Sequence, residues 1–242
     1  MISITDLVKR YDGFRAVDGL SLQVEAGQIL GLVGPNGAGK TTTLRCLAGI
    51  IPPTSGTITI AGFNLQTHPL EARRRLAFVP DEPHLFEHLT AIDHLALFSR
   101  LYGVADGATR AEALLAEADL LDQRLAFPSE LSRGMKQKLV VACALLHRPE
   151  ALVLDEPLTG LDPAAMRRMK RTVRETAAAG ASVIVSSHML QLVEELCDRV
   201  LIVNRGTQVL MGTLDEIRGQ VPDADANADL ETLFMRATGA DE

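Results

Sequence analysis

The chain has 242 residues, 47% of them hydrophobic, which is enough to bury the core of one or two domains. Its formal net charge of −7 argues against nucleic acid as a partner, because phosphate backbones favour basic surfaces. The longest apolar run, Leu139 to Leu146, is far shorter than the roughly 18 residues of a membrane helix, and the start Met1-Ile-Ser-Ile-Thr-Asp6 is not a signal peptide. The chain is therefore expected not to cross a bilayer. Cys46, Cys143 and Cys197 are scattered without C-x-x-C spacing, which predicts buried, reduced thiols in a cytosolic protein.

In chain order, Ile2 and Ile4, then Leu20, Leu22 and Val24, then Ile58 and Ile60 alternate with polar residues and read as half-buried strands of antiparallel type. Ile29 to Val33 is continuously apolar and predicts a buried strand feeding a glycine loop. A helix follows Lys40 with Leu44, Leu47 and Ala48 on one face, and it ends near Gly49. From about Leu89 the texture is helical. Thr90 and Asp93 form a capping pattern, and helices are expected over 111–121 and 136–146. We read about 88–148 as a helical subdomain inserted in an α/β core. Strands at 152–154, 182–186 and 200–203 then alternate with helices at 163–179 and 190–196, which predicts parallel β-α units. Val221 to Asp229 alternates Ala with Asp or Asn and reads as a flexible acidic linker before a short amphipathic ending.

Gly34-Pro35-Asn36-Gly37-Ala38-Gly39-Lys40-Thr41 matches G-x-x-x-x-G-K-[ST] in full, between an apolar strand and a helix. Its glycines let backbone N–H groups turn around phosphate oxygens, and the helix that follows adds its positive end. In that motif Lys40 reaches the β- and γ-phosphates of a nucleotide and the Thr41 hydroxyl ligates Mg²⁺, with Thr42 next along the helix. Asp155 ends an apolar strand and is aimed at the same metal; Glu156 follows where a water-positioning base is needed. Leu131-Ser132-Arg133-Gly134, read alone, is a Ser-capped helix start.

A phosphate loop, then L-S-x-G, then a strand ending in two acids resembles the ATP-binding subunit of an ATP-binding-cassette (ABC) transporter. The resemblance runs over about residues 1–215 and leaves 216–242 as a C-terminal extension. It implies an α/β P-loop ATPase core with an N-terminal antiparallel β-subdomain and the inserted helical subdomain. It further implies that ATP sits between two subunits packed head to tail, the second being another copy or a homologous ATPase. Ser132 and Gly134 would then face the partner's γ-phosphate. By the same resemblance His188 is the switch histidine linking Glu156 to the γ-phosphate, and Tyr11 stacks on adenine unless it merely packs before the Asp12-Gly13 turn. Asp162 belongs to a loop crossing the dimer interface and could equally cap a helix. The family's commonest form is L-S-G-G-Q, so Arg133 and Met135 depart from it. Asp81 stands where the family usually has a Mg²⁺-touching Gln. The resemblance implies an ATPase on the inner face of the cell membrane, driving a separate integral permease, with export as the expected direction. A soluble ABC-type ATPase is the alternative; a P-loop metabolite kinase leaves Ser132, Gly134 and His188 unexplained.

Overall fold

The computed structural model describes residues 1–221, 225 and 227–239. The chain opens with β1 (Ile2–Tyr11) and β2 (Phe14–Val24), joined by Asp12 and Gly13 at φ 41° and 88°. Two successive positive-φ residues form the tight turn whose twist matches an antiparallel hairpin. β4 (Ser55–Ile60) and the short β5 (Phe63–Asn64) complete an antiparallel sheet of order β2-β1-β4-β5. Its inward residues, Ile2, Ile4, Leu7, Leu20, Leu22, Ile58 and Ile60, are all buried, as the alternation predicted.

The second sheet has six strands. β3 (Ile29–Val33) lies at its middle, between β9 (Arg199–Asn204) and β8 (Ser182–Ser186). β7 (Ala151–Asp155) and β6 (Leu76–Val79) extend it on one side and β10 (Thr207–Gly212) on the other. All neighbours are parallel except β9 and β10. Because both faces are covered, the central strands are apolar throughout, yet their residues still divide by pleat. Leu30, Leu32, Val153 and Ile184 join the core beneath the antiparallel sheet, with α1 (Lys40–Leu47). Ile29, Leu152, Leu154, Val183 and Val185 face the opposite core, with α6 (Pro163–Ala178).

The helical stretch contains α3 (Ala91–Tyr102), α4 (Gly107–Glu117) and α5 (Arg133–Leu145). Thr90 and Asp93 form a complete capping box on α3. α4 starts and ends about four residues earlier than the sequence suggested. Gly107 opens it because a Cβ there would meet the Ser99 Oγ, and Asp119 at φ 53° closes it. α5 begins at Arg133 because Ser132 caps it. Short helices α2 (Pro69–Arg74) and α7 (Leu190–Leu196) complete the layers.

At the C-terminus, α8 (Leu214–Gln220) and α9 (Leu230–Thr238) close a third core. Two described residues of the segment read as a flexible linker are buried. Val221 and Ala228 are buried with Ile217, Leu230 and Leu233 against Val33 and Val193. Arg218 Nε donates to the Ala228 carbonyl at 2.8 Å, and the Leu230 N–H to Glu194 Oε2 at 2.9 Å. The alternation of Ala with acids hid buried anchors at both ends of the segment; its residues 222–224 and 226 lie outside the described residues. Among the described residues no helix is long and apolar enough to cross a membrane.

Candidate active site

The loop Gly34–Gly39 leaves the C-terminal end of β3, in the middle of the parallel strands, and turns into α1. Ligand sites in open α/β sheets gather at that edge. Two glycines are fixed by close approach. A Cβ at Gly34 would lie 2.4 Å from the Val203 carbonyl oxygen, and one at Gly39 2.4 Å from that of Ala16. Gly39 is also left-handed, at φ 101°. α1 has neither a side-chain cap nor an acid in its first turn, so its leading N–H groups present a cradle for an anion.

Lys40 is buried at the first position of α1, and its Nζ donates to the Gly34 carbonyl at 2.6 Å and the Pro35 carbonyl at 3.2 Å. Burial lowers its pKa; Glu156 and Asp155 work in the opposite direction and keep the cation favoured less weakly than burial alone would. Lys40 thus faces two acids across the cleft.

Those acids sit at the end of β7. Asp155 is 3% exposed and accepts the Ser186 hydroxyl at 2.5 Å. Glu156 adopts φ 49°, a conformation costing a side-chain-bearing residue about 1–2 kcal/mol. Its N–H is held by the Ser186 carbonyl at 3.2 Å and the Ser186 hydroxyl oxygen at 3.1 Å. Its Oε2 accepts from the His188 ring Nδ1 at 2.9 Å and the His188 N–H at 3.4 Å. Donation from Nδ1 leaves Nε2 of this exposed imidazole for a second partner. Ser186 was not singled out in the sequence; its only signal was its place at the end of a buried strand beside β7.

Tyr11, Asn36, Gly37, Ala38, Gly39, Thr41, Thr42 and Asp81 line the same cleft as Lys40 and the two acids. Tyr11 is 44% exposed, with Lys9 Nζ 4.9 Å from its ring centroid, so it is no core residue. Phe14, its partner across the hairpin, lines the cleft too and was overlooked in the sequence, although an aromatic directly after an Asp-Gly turn signals it. Ser132, Gly134 and Asp162 lie apart from this cleft. Ser132 Oγ accepts the Met135 N–H at 3.3 Å as the cap of α5. Gly134 packs beside the Gly160–Leu161 turn. Asp162 Oδ1 accepts the N–H groups of Ala164 and Ala165, both at 2.8 Å, and those bonds hold its carboxyl below the usual range.

The described residues contain no group of three His, Cys, Asp or Glu side chains able to hold a metal unaided. The donor set fits Mg²⁺ instead. This ion takes one or two carboxylates and completes its shell with water and substrate phosphates. Asp155, Asp81 and the Thr41 hydroxyl share the cleft with the anion cradle.

Comparison with known proteins agrees with this geometry. The family model described as ABC transporter matches residues 17–159. The chain belongs to the ABC transporter family. It is the ATP-binding subunit, an ATPase. It is 35% identical over 243 residues to the ABC-type transporter ATP-binding protein EcsA of Bacillus subtilis, covering 100% of this chain and 98% of that protein. It is 40% identical over 213 residues to the Nod factor export ATP-binding protein I of Burkholderia orbicola, covering 87% and 70%. A solved structure described as the ATP binding subunit of an ABC transporter superimposes with a TM-score of 0.93 at 35% identity, covering 98% of this subunit and 99% of that chain. The cassette MJ0796, solved as a dimer bound to ADP and Pi, shares the fold at a TM-score of 0.82 and 23% identity, covering 88% and 99%.

Proposed function

We propose that this subunit hydrolyses ATP at a site completed by a second ATPase subunit, and that the cycle drives export through a separate membrane permease. The observation that carries the reading is the convergence of Lys40, Asp155 and Glu156 on one cleft at the ends of β3 and β7, with His188, just past β8, bonded to Glu156. Phosphoryl transfer needs charge stabilisation and an oriented water more than covalent help from the protein. The Gly34–Thr42 segment holds the phosphates and Lys40 offsets their charge. Glu156, aimed by His188 and Ser186, positions the attacking water and accepts its proton. His188 Nε2 is left for the γ-phosphate. Tyr11 supplies an exposed ring for adenine. When bound, Mg²⁺ would neutralise phosphate charge; Thr41, Asp155 and Asp81 are the residues that would hold it.

Ser132 and Gly134, away from the cleft and at the start of α5, suit the partner's γ-phosphate, because a helix N-terminus favours an anion. Asp162 caps α6 beside them and would cross the same interface. The relatives named for Nod factor export favour export as the direction. The subunit then works on the cytoplasmic face of the membrane, held there by its permease. The segment Glu82–Phe86 is the candidate contact. Phe86 is exposed, and its N–H is tied to His94 Nε2 at 2.9 Å, which joins this loop to α3.

A mixing experiment tests the shared site. Lys40→Ala removes the cation that offsets phosphate charge in one chain's site, and Gly134→Asp places a carboxylate against the partner's phosphates. Each variant alone should be inactive. Mixed, they form dimers with one intact Lys40 site facing one intact Gly134, and ATPase activity should return. No recovery in mixtures that form dimers overturns the shared-site reading. Export is tested by ATP-driven transport in inverted vesicles carrying the permease; substrate leaving rather than entering such vesicles overturns the direction.

A further inference from the structure

Two of the three positions where this chain departs from its family's pattern, Arg133 and Asp81, meet each other. Arg133 Nη2 lies 3.8 Å from Asp81 Oδ1, with the side chains 60% and 52% exposed. Asp81 lines the nucleotide cleft of its own chain. Arg133 is the first residue of α5, between Ser132 and Gly134, and its stem passes over Gly160, where a Cβ would be 3.7 Å from Arg133 Cδ. One side chain therefore bridges from the chain's own cleft to the tip it would lend to a partner.

We propose that Arg133 is a switched phosphate ligand: held by Asp81 in its own chain before nucleotide binds, and passed to the γ-phosphate of the partner's ATP once Asp81 turns to Mg²⁺. The inference rests on the shared-site reading above. Three arguments carry it. An exposed pair at this distance is weak, so a divalent cation outcompetes Arg133 for the Asp81 carboxylate. A guanidinium offers five donors in a planar fork suited to phosphate oxygens, and it keeps its charge throughout. Its neighbours on both sides in the sequence are the groups that face that phosphate. A family-typical glycine at 133 and glutamine at 81 would support neither half of the exchange.

The proposal predicts opposite effects from one substitution. In dilute Arg133→Ala chains, kept monomeric, Asp81 has no competitor. The Mg²⁺ concentration that half-saturates ATP binding should fall about two- to five-fold, the scale of an exposed ion pair. In a Glu156→Gln background, where uncleaved ATP holds dimers together, the same substitution should weaken Mg-ATP-driven dimerisation at least about tenfold, through loss of two charge-assisted contacts per dimer. Arg133→Lys should restore part of the dimer affinity, since it keeps a charge without the fork. A merely structural Arg133 would not tighten the Mg²⁺ reading while weakening the dimer. An unchanged or higher half-saturating Mg²⁺ concentration in monomers overturns the exchange, and unchanged dimerisation overturns the ligand role. If the parent Glu156→Gln chain itself fails to dimerise, the shared-site reading falls, while the monomer titration still decides whether Asp81 is contested.

Discussion

Glu156 accepts two bonds from His188, one from the ring Nδ1 at 2.9 Å and one from the backbone N–H at 3.4 Å. The carboxylate is thus aimed by a residue that lies beyond the end of a different strand. Its own backbone is left-handed at φ 49°. Strain of this kind persists only where neighbours over-determine it. His188→Ala should therefore lower ATP turnover by about 10²–10⁴-fold, the usual scale for a lost proton-transfer arrangement, and leave ATP affinity within a few-fold. Glu156→Gln should match it in turnover. Steady-state rates and nucleotide titration check both; turnover near that of the parent in either variant removes the pair from the chemistry.

Ser186 ties the two acids together. Its hydroxyl donates to the nearly inaccessible Asp155 and its oxygens receive the Glu156 N–H. Ser186→Ala leaves a buried carboxylate short of a donor, which costs about 1–3 kcal/mol. The urea midpoint should fall by that free energy divided by the m-value, and turnover should fall with it because Glu156 loses one anchor. A midpoint shift within error would mean that water replaces the hydroxyl.

Much of this arrangement was legible in the residues, and for physical reasons. Gly34 to Thr41 could be read because a chain that wraps phosphate with backbone needs small residues at fixed spacing. The strands β3, β7 and β8 could be read because burial on both faces leaves an unbroken apolar run. What escaped was short or decided in three dimensions. β6 has four residues, too few for a period to show. β10 is half-exposed and follows Arg205-Gly206, a positive-φ pair whose hairpin signal stood in the sequence unread. Gly107 stands four residues ahead of the expected helix start, and its lack of Cβ is what lets α4 start against Ser99. The bond from Ser186 to Asp155 joins residues 31 positions apart, so no local pattern announces it.

The glycines of the phosphate loop should not respond alike. Gly37 and Gly39 are both left-handed, at φ 80° and 101°. A Cβ at Gly37 meets nothing within 4 Å, whereas one at Gly39 falls 2.4 Å from the Ala16 carbonyl oxygen. Gly37→Ala should therefore cost only the backbone penalty of about 1–2 kcal/mol. Gly39→Ala adds a backbone clash and should cost clearly more, with ATP affinity lost because the cradle must shift. Denaturant midpoints and nucleotide titration of the two variants check the order; equal losses would show that the loop relaxes freely around Ala16.

His147 offers a pH test away from the active site. Its ring lies on that of Tyr102, with centroids 3.8 Å apart and planes inclined by 16°. Burial pushes its pKa down to about 4, with the nearby Arg110 cation acting in the same direction and the Leu76 backbone partly against it. Neither ring nitrogen has a hydrogen bond of good geometry. The sign follows from which state binds the proton. Below the unfolded value of about 6.5 the unfolded chain becomes protonated while the folded imidazole stays neutral. Stability from this group is therefore intact above about pH 6.5, declines as the pH falls towards about 4, and changes no further below that. Partial exposure discounts the full shift, leaving a loss on the order of 2 kcal/mol across the window. His147→Phe keeps an aromatic ring for the stack and removes the titration. Its urea midpoint should decline less steeply than the parent's from neutral pH to about pH 4.5, the difference between the two slopes isolating His147 from the carboxylates that both proteins share. Parallel slopes would mean that the folded imidazole accepts its proton as readily as the unfolded one, through water or rotation away from Tyr102.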